Sequence, residues 1–237
     1  SWHCPDAILA WVDGGELKLG PIGEYLPFRE RSEELIRIDC DHLEEALQTG
    51  ASGALTASGT MAVCRRLDIP MAITCGMGGI GDLRGEELCP DLPALMNIPV
   101  ALISTSPKDM LDRPATLDWL RRHGVHTAGE PCTGYLFCGE PVALELPLSS
   151  CNNEAAVRRL TANGGLLLLN PIPEKERVQD RSILVDAIKA GKQAEAEGHY
   201  YHPAANGEID RRTDGYSSRI QLESIQQNYL LAKSIMD

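Results

Sequence analysis

The chain has 237 residues, enough for one large α/β domain or two small ones, and an apolar fraction of 43% can fill a buried core. No apolar run approaches the roughly 20 residues of a membrane-spanning helix, so we expect no membrane association, and no signal segment that would indicate secretion opens the sequence. A formal net charge of −12, with no run of basic residues, argues against a nucleic-acid partner.

The cysteines indicate the redox environment in which the protein works. There are eight of them, scattered along the chain without a Cys-x-x-Cys pair. This pattern argues against a zinc ribbon and against a small disulfide-linked fold, and it favours a reducing, cytoplasmic environment.

Short apolar runs alternate with helical patterns along the chain. Apolar runs separated by helices are typical of strands buried on both faces of a parallel sheet, which predicts an α/β fold. The predicted strands cover residues 7–12, 69–74, 98–104 and 165–170, and the predicted helices cover residues 42–48, 56–67, 113–123, 153–161, 181–197 and 217–236. No internal repeat or linker divides the chain, so we predict a single domain over residues 1–237.

Turn-forming residues predict a hairpin and two loops. Asp13 and Gly14 follow the first apolar run, and Asp-Gly favours a tight connection between antiparallel strands. Residues 128–152 are irregular and contain several Cys, Gly and Pro, while residues 198–216 are polar and turn-rich. We interpret both segments as loops that could cover a site.

A glycine-rich segment, residues 76–81, follows the second predicted strand and matches the pattern Gly-x-Gly-x-x-Gly. In a dinucleotide-binding fold, a helix would begin directly after the glycines and an acidic residue would end the next strand. Here a charged, proline-containing segment follows, and the next strand ends in Ser104. Three interpretations stay open: a nicotinamide or flavin site, a plain turn, and a loop whose amides and Arg84 bind an anion.

Acidic residues cluster around Pro90, in the segment 86–92. Proline suits the first turn of a helix and acidic side chains suit its positive end, so the cluster is consistent with a helix start. The alternative interpretation is a site for a hard cation with an acid/base carboxylate beside it.

Lys108 lies just beyond the predicted strand at 98–104, in a loop that leads to a helix. Active sites of parallel sheets gather at such strand ends. A lysine removed from water there has a lowered pKa and can attack a carbonyl or anomeric carbon to form an imine, whereas an ordinary loop lysine stays in solvent. Asn170 ends the last predicted strand before two prolines, and we expect its side chain to brace a neighbouring loop, with contact to a ligand as the alternative.

Several of these segments together resemble one family, the pseudouridine-5′-phosphate glycosidases, also called indigoidine synthase A-like proteins. The similarity runs in order from the hairpin through the glycine-rich segment, CPDLPAL and the Lys108 segment to the last helix. Its most specific match is NPIPEK at 170–175. The resemblance implies a three-layer α/β/α fold with a mostly parallel central sheet, a homotrimer, and a divalent metal, typically manganese.

The resemblance also implies an activity, the reversible cleavage of the carbon–carbon bond between a pyrimidine base such as uracil and ribose 5-phosphate. Lys108 matches the lysine that attacks the anomeric carbon, Asp91 matches the acid/base aspartate, and Glu87 falls where a metal ligand is expected. The positions matched to substrate binding are Arg37, Ala57, Arg84, Cys89, Pro90 and Asp91.

The sequence also departs from the family pattern. Arg37 stands where a lysine is expected, Glu87 stands where an aspartate is expected, and the family's N-terminal segment with its glutamate proton donor is not in this sequence. Two functions therefore stay open: a divergent C-glycosidase that acts through a Lys108 imine, and a catalytically degenerate member that binds a ligand or a partner chain.

Overall fold

The computed structural model describes residues 2–81, 89–162, 164–199 and 201–237. The strands are β1 (Leu9–Asp13), β2 (Glu16–Gly20), β3 (Ile36–Ile38), β4 (Gly53–Leu55), β5 (Met71–Ile73), β6 (Gly76–Met77), β7 (Ala101–Ser104), β8 (Ser106–Pro107), β9 (His126–Gly129) and β10 (Leu166–Leu169). The α-helices are α1 (Ile22–Arg29), α2 (Leu43–Thr49), α3 (Ala57–Arg66), α4 (Asp91–Asn97), α5 (Arg113–Arg122), α6 (Glu154–Thr161), α7 (Ser182–Ala196), α8 (Tyr201–Arg212) and α9 (Tyr216–Met236).

The central sheet has the strand order β5-β7-β10-β9, and all of its described pairings are parallel. Alternate side chains of a strand point to opposite faces, and both faces of this sheet are apolar. On one face, Leu102 and Leu167 pack against apolar residues of α3, α4 and α5. On the other face, Ile103 and Leu168 pack against α6 and α9. Helices therefore cover both faces, and the predicted three-layer α/β/α fold is confirmed.

A second sheet has the order β2-β1-β4-β3 and mixes antiparallel with parallel pairs. Its hairpin turns at Gly14 and Gly15, whose φ angles of 60° and 77° suit glycine, so the predicted hairpin is confirmed. The apolar run 7–12 thus belongs to this sheet rather than to the central one. The reason is that β1 pairs with the hairpin strand β2 on one side and with β4 on the other.

Helix α3 joins the two sheets. Its Met61 lies in the core that covers the central sheet, whereas its Val63 lies in the core of the second sheet. Thr56, the predicted first residue, is the N-cap, and its side chain accepts a hydrogen bond from the amide of Gly59. Asn153 caps α6 in the same way. The predicted helices at 42–48, 113–123, 181–197 and 217–236 also form, with ends that shift by one residue.

The segment 198–216 contains a helix, so its interpretation as a loop is wrong for residues 201–212. Three buried residues at four-residue spacing, Tyr201, Ala205 and Ile209, form the apolar stripe of α8 and join a core that α7 also supplies. Pro203 lies in the first turn, where a missing N–H breaks no hydrogen bond within the helix. The segment 128–152 is irregular beyond the end of β9 apart from one short 3₁₀ turn at Leu148–Cys151, as predicted.

No helix in the described ranges is both long enough and apolar enough to cross a membrane. All eight cysteines lie among the described residues, and all are free.

Candidate active site

A cavity of about 590 Å³ opens where the central and second sheets meet. Residues from β3, the start of α3, the glycine-rich segment, the start of α4, the turn after β8 and α8 all line it. Six of the predicted site residues are among them: Arg37, Ala57, Cys89, Pro90, Asp91 and Lys108. The fold thus brings together residues that are up to 71 positions apart in the chain, from 37 to 108.

Lys108 is partly buried at the cavity wall rather than held out in solvent. It follows β8, which pairs with β6, and its amide donates to the carbonyl of Met77. Its side chain crosses Gly76 so closely that an added Cβ there would lie 3.0 Å from Lys108 Cγ. Burial lowers the pKa of the Lys108 ammonium, the Arg37 guanidinium lowers it further, and Asp91 opposes both. The amine is therefore neutral more readily than a surface lysine.

Asp91 is the first residue of α4 and is 7% exposed. Its Oδ1 accepts a hydrogen bond from the amide of Ser58 at 3.0 Å, and its Oδ2 accepts one from the amide of Gly78 at 2.8 Å. The interpretation of this segment as a helix start is confirmed, with Pro90 immediately before the first residue. The Asp91 carboxylate, however, accepts its hydrogen bonds from the N-terminus of α3 and from the glycine-rich segment.

The glycine-rich segment supports the site through its backbone. A Cβ on Gly78 would lie 2.0 Å from the sulfur of Cys89 and 3.0 Å from Asp91 Oδ2, so only glycine fits between them. The amide of Ile80 donates to Thr116 Oγ1. The backbone N–H groups of Gly78 and Ile80 therefore both donate to side chains of the protein. Gly76 and Met77 form strand β6, which does not match the turn that would hold the pyrophosphate of a dinucleotide.

The remaining predicted contacts differ in character. Arg37 lines the cavity and is exposed, at the position where the family resemblance leads us to expect a lysine. Burial, with Asp91 beside it, raises the pKa of the Cys89 thiol to about 11, so the thiol is protonated near neutral pH and is suited to contact rather than to nucleophilic attack.

Arg84 and Glu87 lie outside the described residues. Within the described ranges, no three His, Cys, Asp or Glu side chains form a cluster that could hold a metal ion.

Asn170 has the bracing role that the sequence suggested. Its Nδ2 donates to Asn228 Oδ1 at 3.0 Å, and Asn228 Nδ2 donates in turn to the carbonyl of Thr74 at 2.8 Å. These bonds tie α9 to the carboxyl ends of β5 and β10, next to the cavity. Both asparagine side chains therefore help to hold α9 against the central sheet.

Asp109, next to Lys108, orders the irregular segment, a role that the sequence did not reveal. Its carboxylate accepts hydrogen bonds from the amides of Tyr135, Leu136 and Phe137 at 2.7–3.1 Å and faces Arg113. Burial raises the pKa of this carboxyl, while the three amides and Arg113 act in the opposite direction. The result is that Tyr135 is fixed against Gly76, close to the Lys108 side chain.

His202 lines the cavity and was not predicted from the sequence. It lies in the first turn of α8, and its Nδ1 is buried without a hydrogen-bond partner among the described residues. Burial, together with the charges of Lys108 and Arg37, lowers its pKa to about 4. The four-residue spacing of Tyr201, Ala205 and Ile209 predicts α8, and the helix then carries the adjacent His202 to the cavity.

Comparison with known proteins identifies the family. The family model described as indigoidine synthase A like protein matches residues 7–236.

The chain belongs to this family.

Relatives include pseudouridine-5′-phosphate glycosidases. That of Methylobacterium nodulans is 28% identical over 243 residues, which cover 97% of this chain and 71% of the relative. That of Petrotoga mobilis is 28% identical over 244 residues, covering 97% and 78%. Membership of the family and these relatives confirm the predicted family and the predicted enzyme class, a glycosidase or lyase.

Solved structures show the same fold. The prealnumycin C-glycosynthase AlnA in complex with ribulose 5-phosphate has a TM-score of 0.77 at 23% identity, covering 96% of this chain and 80% of that one. An indigoidine synthase A-like protein from Thermotoga maritima has a TM-score of 0.76 at 21% identity, covering 96% and 79%. At these identities the match establishes the architecture, and the arrangement of helices on both faces of a parallel sheet is shared.

Proposed function

We propose that the protein is a C-glycosidase that cleaves or forms the carbon–carbon bond between a pyrimidine base such as uracil and ribose 5-phosphate, through an imine on Lys108. The observation that carries this proposal is that the Lys108 amine and the Asp91 carboxylate line one cavity, with the pKa of the amine lowered by burial. The activities of relatives, named pseudouridine-5′-phosphate glycosidases, support it.

The chemistry of a C-nucleotide explains why a lysine is needed. The base is attached through carbon, so protonating a leaving oxygen or nitrogen cannot release it. In the proposed reaction, neutral Lys108 Nζ bonds to C1′ while the C1′–O4′ bond breaks and O4′ takes up a proton. The attached nitrogen then gives up a proton, and its lone pair forms the imine as the C1′–C5 bond breaks. The bonding electrons pass to the pyrimidine ring, which is protonated at C5, and water hydrolyses the imine to ribose 5-phosphate and free lysine.

Each predicted residue has a place in this reaction. We propose that Asp91, which accepts two amide hydrogen bonds, gives and takes the protons. Arg37 brings positive charge to the cavity mouth, which suits a phosphate in a protein whose net charge is −12. Ala57, Cys89 and Pro90 supply the uncharged wall against which the substrate rests. Arg84 is proposed as a further phosphate contact.

We further propose that the working protein is a cytoplasmic homotrimer that uses manganese or another divalent cation. Glu87 is the proposed ligand, because hard cations prefer carboxylate oxygens, and such an ion would balance the charge of the substrate's phosphate. Chelation followed by dialysis should lower turnover, added Mn²⁺ should restore it, and light scattering should give three chains per particle. Full turnover after chelation, or a monomeric mass, would contradict the respective proposal.

Trapping of the imine tests the proposed function. The protein is incubated with ribose 5-phosphate, uracil and borohydride, and its intact mass is measured. The wild type and the Lys175→Ala control, which alters an exposed lysine, should gain one reduced sugar-phosphate adduct, and Lys108→Ala should gain none. An adduct of equal yield on Lys108→Ala would remove the assignment. Binding of ribose 5-phosphate with neither adduct nor turnover would favour the ligand-binding alternative.

A further inference from the structure

The ring of Tyr135 and the side chain of Lys108 meet over Gly76. A Cβ added to Gly76 would lie 2.8 Å from Tyr135 Cε1 and 3.0 Å from Lys108 Cγ, so the two side chains together fill the space above the Gly76 backbone. Tyr135 is 3% exposed, and it is not among the described residues that line the cavity. The ring therefore covers the aliphatic part of Lys108 from the protein interior, away from a bound substrate.

Tyr135 is fixed at both ends. Its backbone amide donates to Asp109 Oδ1 at 2.9 Å, and its hydroxyl donates to Gln221 Oε1 of α9 at 3.0 Å. The Gln221 amide group donates in turn to the carbonyl of Ser217 at 3.2 Å, within the same helix. Because Asp109 follows Lys108 directly, the turn that carries the amine also carries the carboxylate that holds the tyrosine in place.

The Tyr135 hydroxyl is not placed for proton transfer to the substrate. It donates to Gln221, and burial raises the pKa of the phenol well above its usual range, so the side chain stays uncharged near neutral pH. An uncharged ring brings no charge to Lys108 and can act on the amine only by excluding water. Water stabilises the protonated form of an amine, so its exclusion favours the neutral form that attacks C1′.

We propose that Tyr135 is a positioning residue, whose ring holds the Lys108 side chain against β6 and keeps water away from it. This inference rests on the proposed function, since it takes Lys108 as the nucleophile. The described titratable groups that face Lys108 are unchanged in a Tyr135 variant, so a change in the protonation of the amine reports its hydration. These groups are Arg37, Asp91, Cys89, Cys75 and His202.

The first experiment follows borohydride trapping of ribose 5-phosphate between pH 6 and pH 10. Tyr135→Ala removes the ring and leaves Gln221 Oε1 free to hold water, so the midpoint of the profile should rise by about one pH unit. The trapping rate at pH 7 should then fall about tenfold, because that much less of the amine is neutral. Tyr135→Phe keeps the ring and should keep the midpoint of the wild type.

Two further variants separate hydration of the amine from a general loss of packing. Tyr216→Ala removes a tyrosine that packs against the same apolar core and whose hydroxyl donates to the carbonyl of Glu176, and it should keep the midpoint of the wild type. Tyr135→Leu keeps an apolar side chain without the ring and should raise the midpoint by a smaller amount. It also provides the measurement if melting temperatures show that Tyr135→Ala does not fold.

The second experiment measures the protonation of Lys108 without a sugar. Each protein is treated with a limiting amount of acetic anhydride across the same pH range, and mass spectrometry measures acetylation of the peptide that contains Lys108. Acetylation requires the neutral amine, so its midpoint should rise in Tyr135→Ala and stay unchanged in Tyr135→Phe and Tyr216→Ala. The exposed Lys175, measured in the same digests, gives the profile of an ordinary lysine.

The outcomes separate this inference from the proposed function. Equal acetylation midpoints for the wild type and the folded variants that lack the Tyr135 ring would overturn the role of Tyr135, and so would an equal shift in Tyr216→Ala. In either case, an adduct on wild-type Lys108 would leave the proposed function standing. A wild type that forms no adduct would overturn the proposed function and the positioning role with it, even where acetylation still showed that the ring keeps water from the amine.

Discussion

At the scale of single residues, burial lowers the pKa of the Lys108 amine, and the positive charge of nearby Arg37 lowers it further. Imine formation needs the neutral amine, so the rate of borohydride trapping should rise with pH through the pKa of Lys108. Arg37→Gln removes the repelling cation, which raises that pKa and moves the midpoint of the profile to higher pH. Trapping rates between pH 6 and pH 10 measure the shift.

Arg37→Lys is the matched control for this profile. It keeps the positive charge and should keep the midpoint close to that of the wild type, although the flat guanidinium is lost. A midpoint that moved downward in Arg37→Gln, or that moved equally in both variants, would show that the charge of Arg37 does not lower the pKa of Lys108.

Asp91 supports a second prediction at this scale, because each of its oxygens accepts one backbone amide. Asparagine has only one oxygen, so Asp91→Asn turns an NH₂ group toward either Ser58 or Gly78 and leaves a buried donor facing a donor. We expect a loss of roughly 1–3 kcal/mol in the free energy of unfolding and the loss of turnover with it. Urea denaturation and the assay of pseudouridine 5′-phosphate cleavage measure the two effects.

Asp112→Asn provides the comparison. Asp112 caps α5 by accepting the amide of Ala115, and asparagine caps helices as well as aspartate does, so its stability should hardly change. Equal losses of unfolding free energy in the two variants would mean that the two hydrogen bonds accepted by Asp91 do not make its replacement by asparagine more costly than that of a helix cap.

At the scale of elements, the glycine-rich segment packs in close contact with the start of α4. Gly78→Ala places a Cβ 2.0 Å from Cys89 Sγ, so the start of α4 or the glycine-rich segment must move. We expect a destabilisation of about 1–3 kcal/mol and a fall in turnover, because Asp91 shifts with the helix. Gly207→Ala, which meets no atom within 4 Å in α8, should stabilise by up to about 1 kcal/mol. Equal unfolding midpoints for the two variants would contradict the close packing at Gly78.

The accuracy of the sequence interpretation also varies by element. Helices with a capping side chain and a clear apolar period were located to within a residue or two, as at Thr56 and Asn153. Strands β3 and β4 were missed because each has three residues and depends on pairing with distant parts of the chain. Helix α8 was missed because Pro203 and its many polar residues masked the four-residue spacing of its buried side chains. His202 was missed with it.

At the scale of the whole molecule, the cavity forms where two sheets meet through α3, at the carboxyl ends of β5 and β7. The location of Lys108 near these ends followed from the general behaviour of parallel sheets. The second wall of the cavity did not, since it depends on the pairing of β3 with β4, which joins Arg37 to Ala54. Motif resemblance indicated Arg37 and Ala57 on that wall, whereas periodicity and composition alone could not.

The protonation of His202 links the cavity to the stability of the whole fold. In the unfolded chain the imidazole takes up a proton near pH 6.5, whereas in the folded protein its pKa is about 4. Between these values the unfolded state binds more protons, so the free energy of unfolding falls as the pH is lowered through this window and levels off below it. The loss from this group should reach up to about 3 kcal/mol. Urea denaturation at pH 7, 5.5 and 4 should therefore show a steeper decline for the wild type than for His202→Asn, which has no titrating ring. His199→Asn should decline like the wild type, and parallel curves for the wild type and His202→Asn would show that the buried imidazole does not weaken the fold in acid.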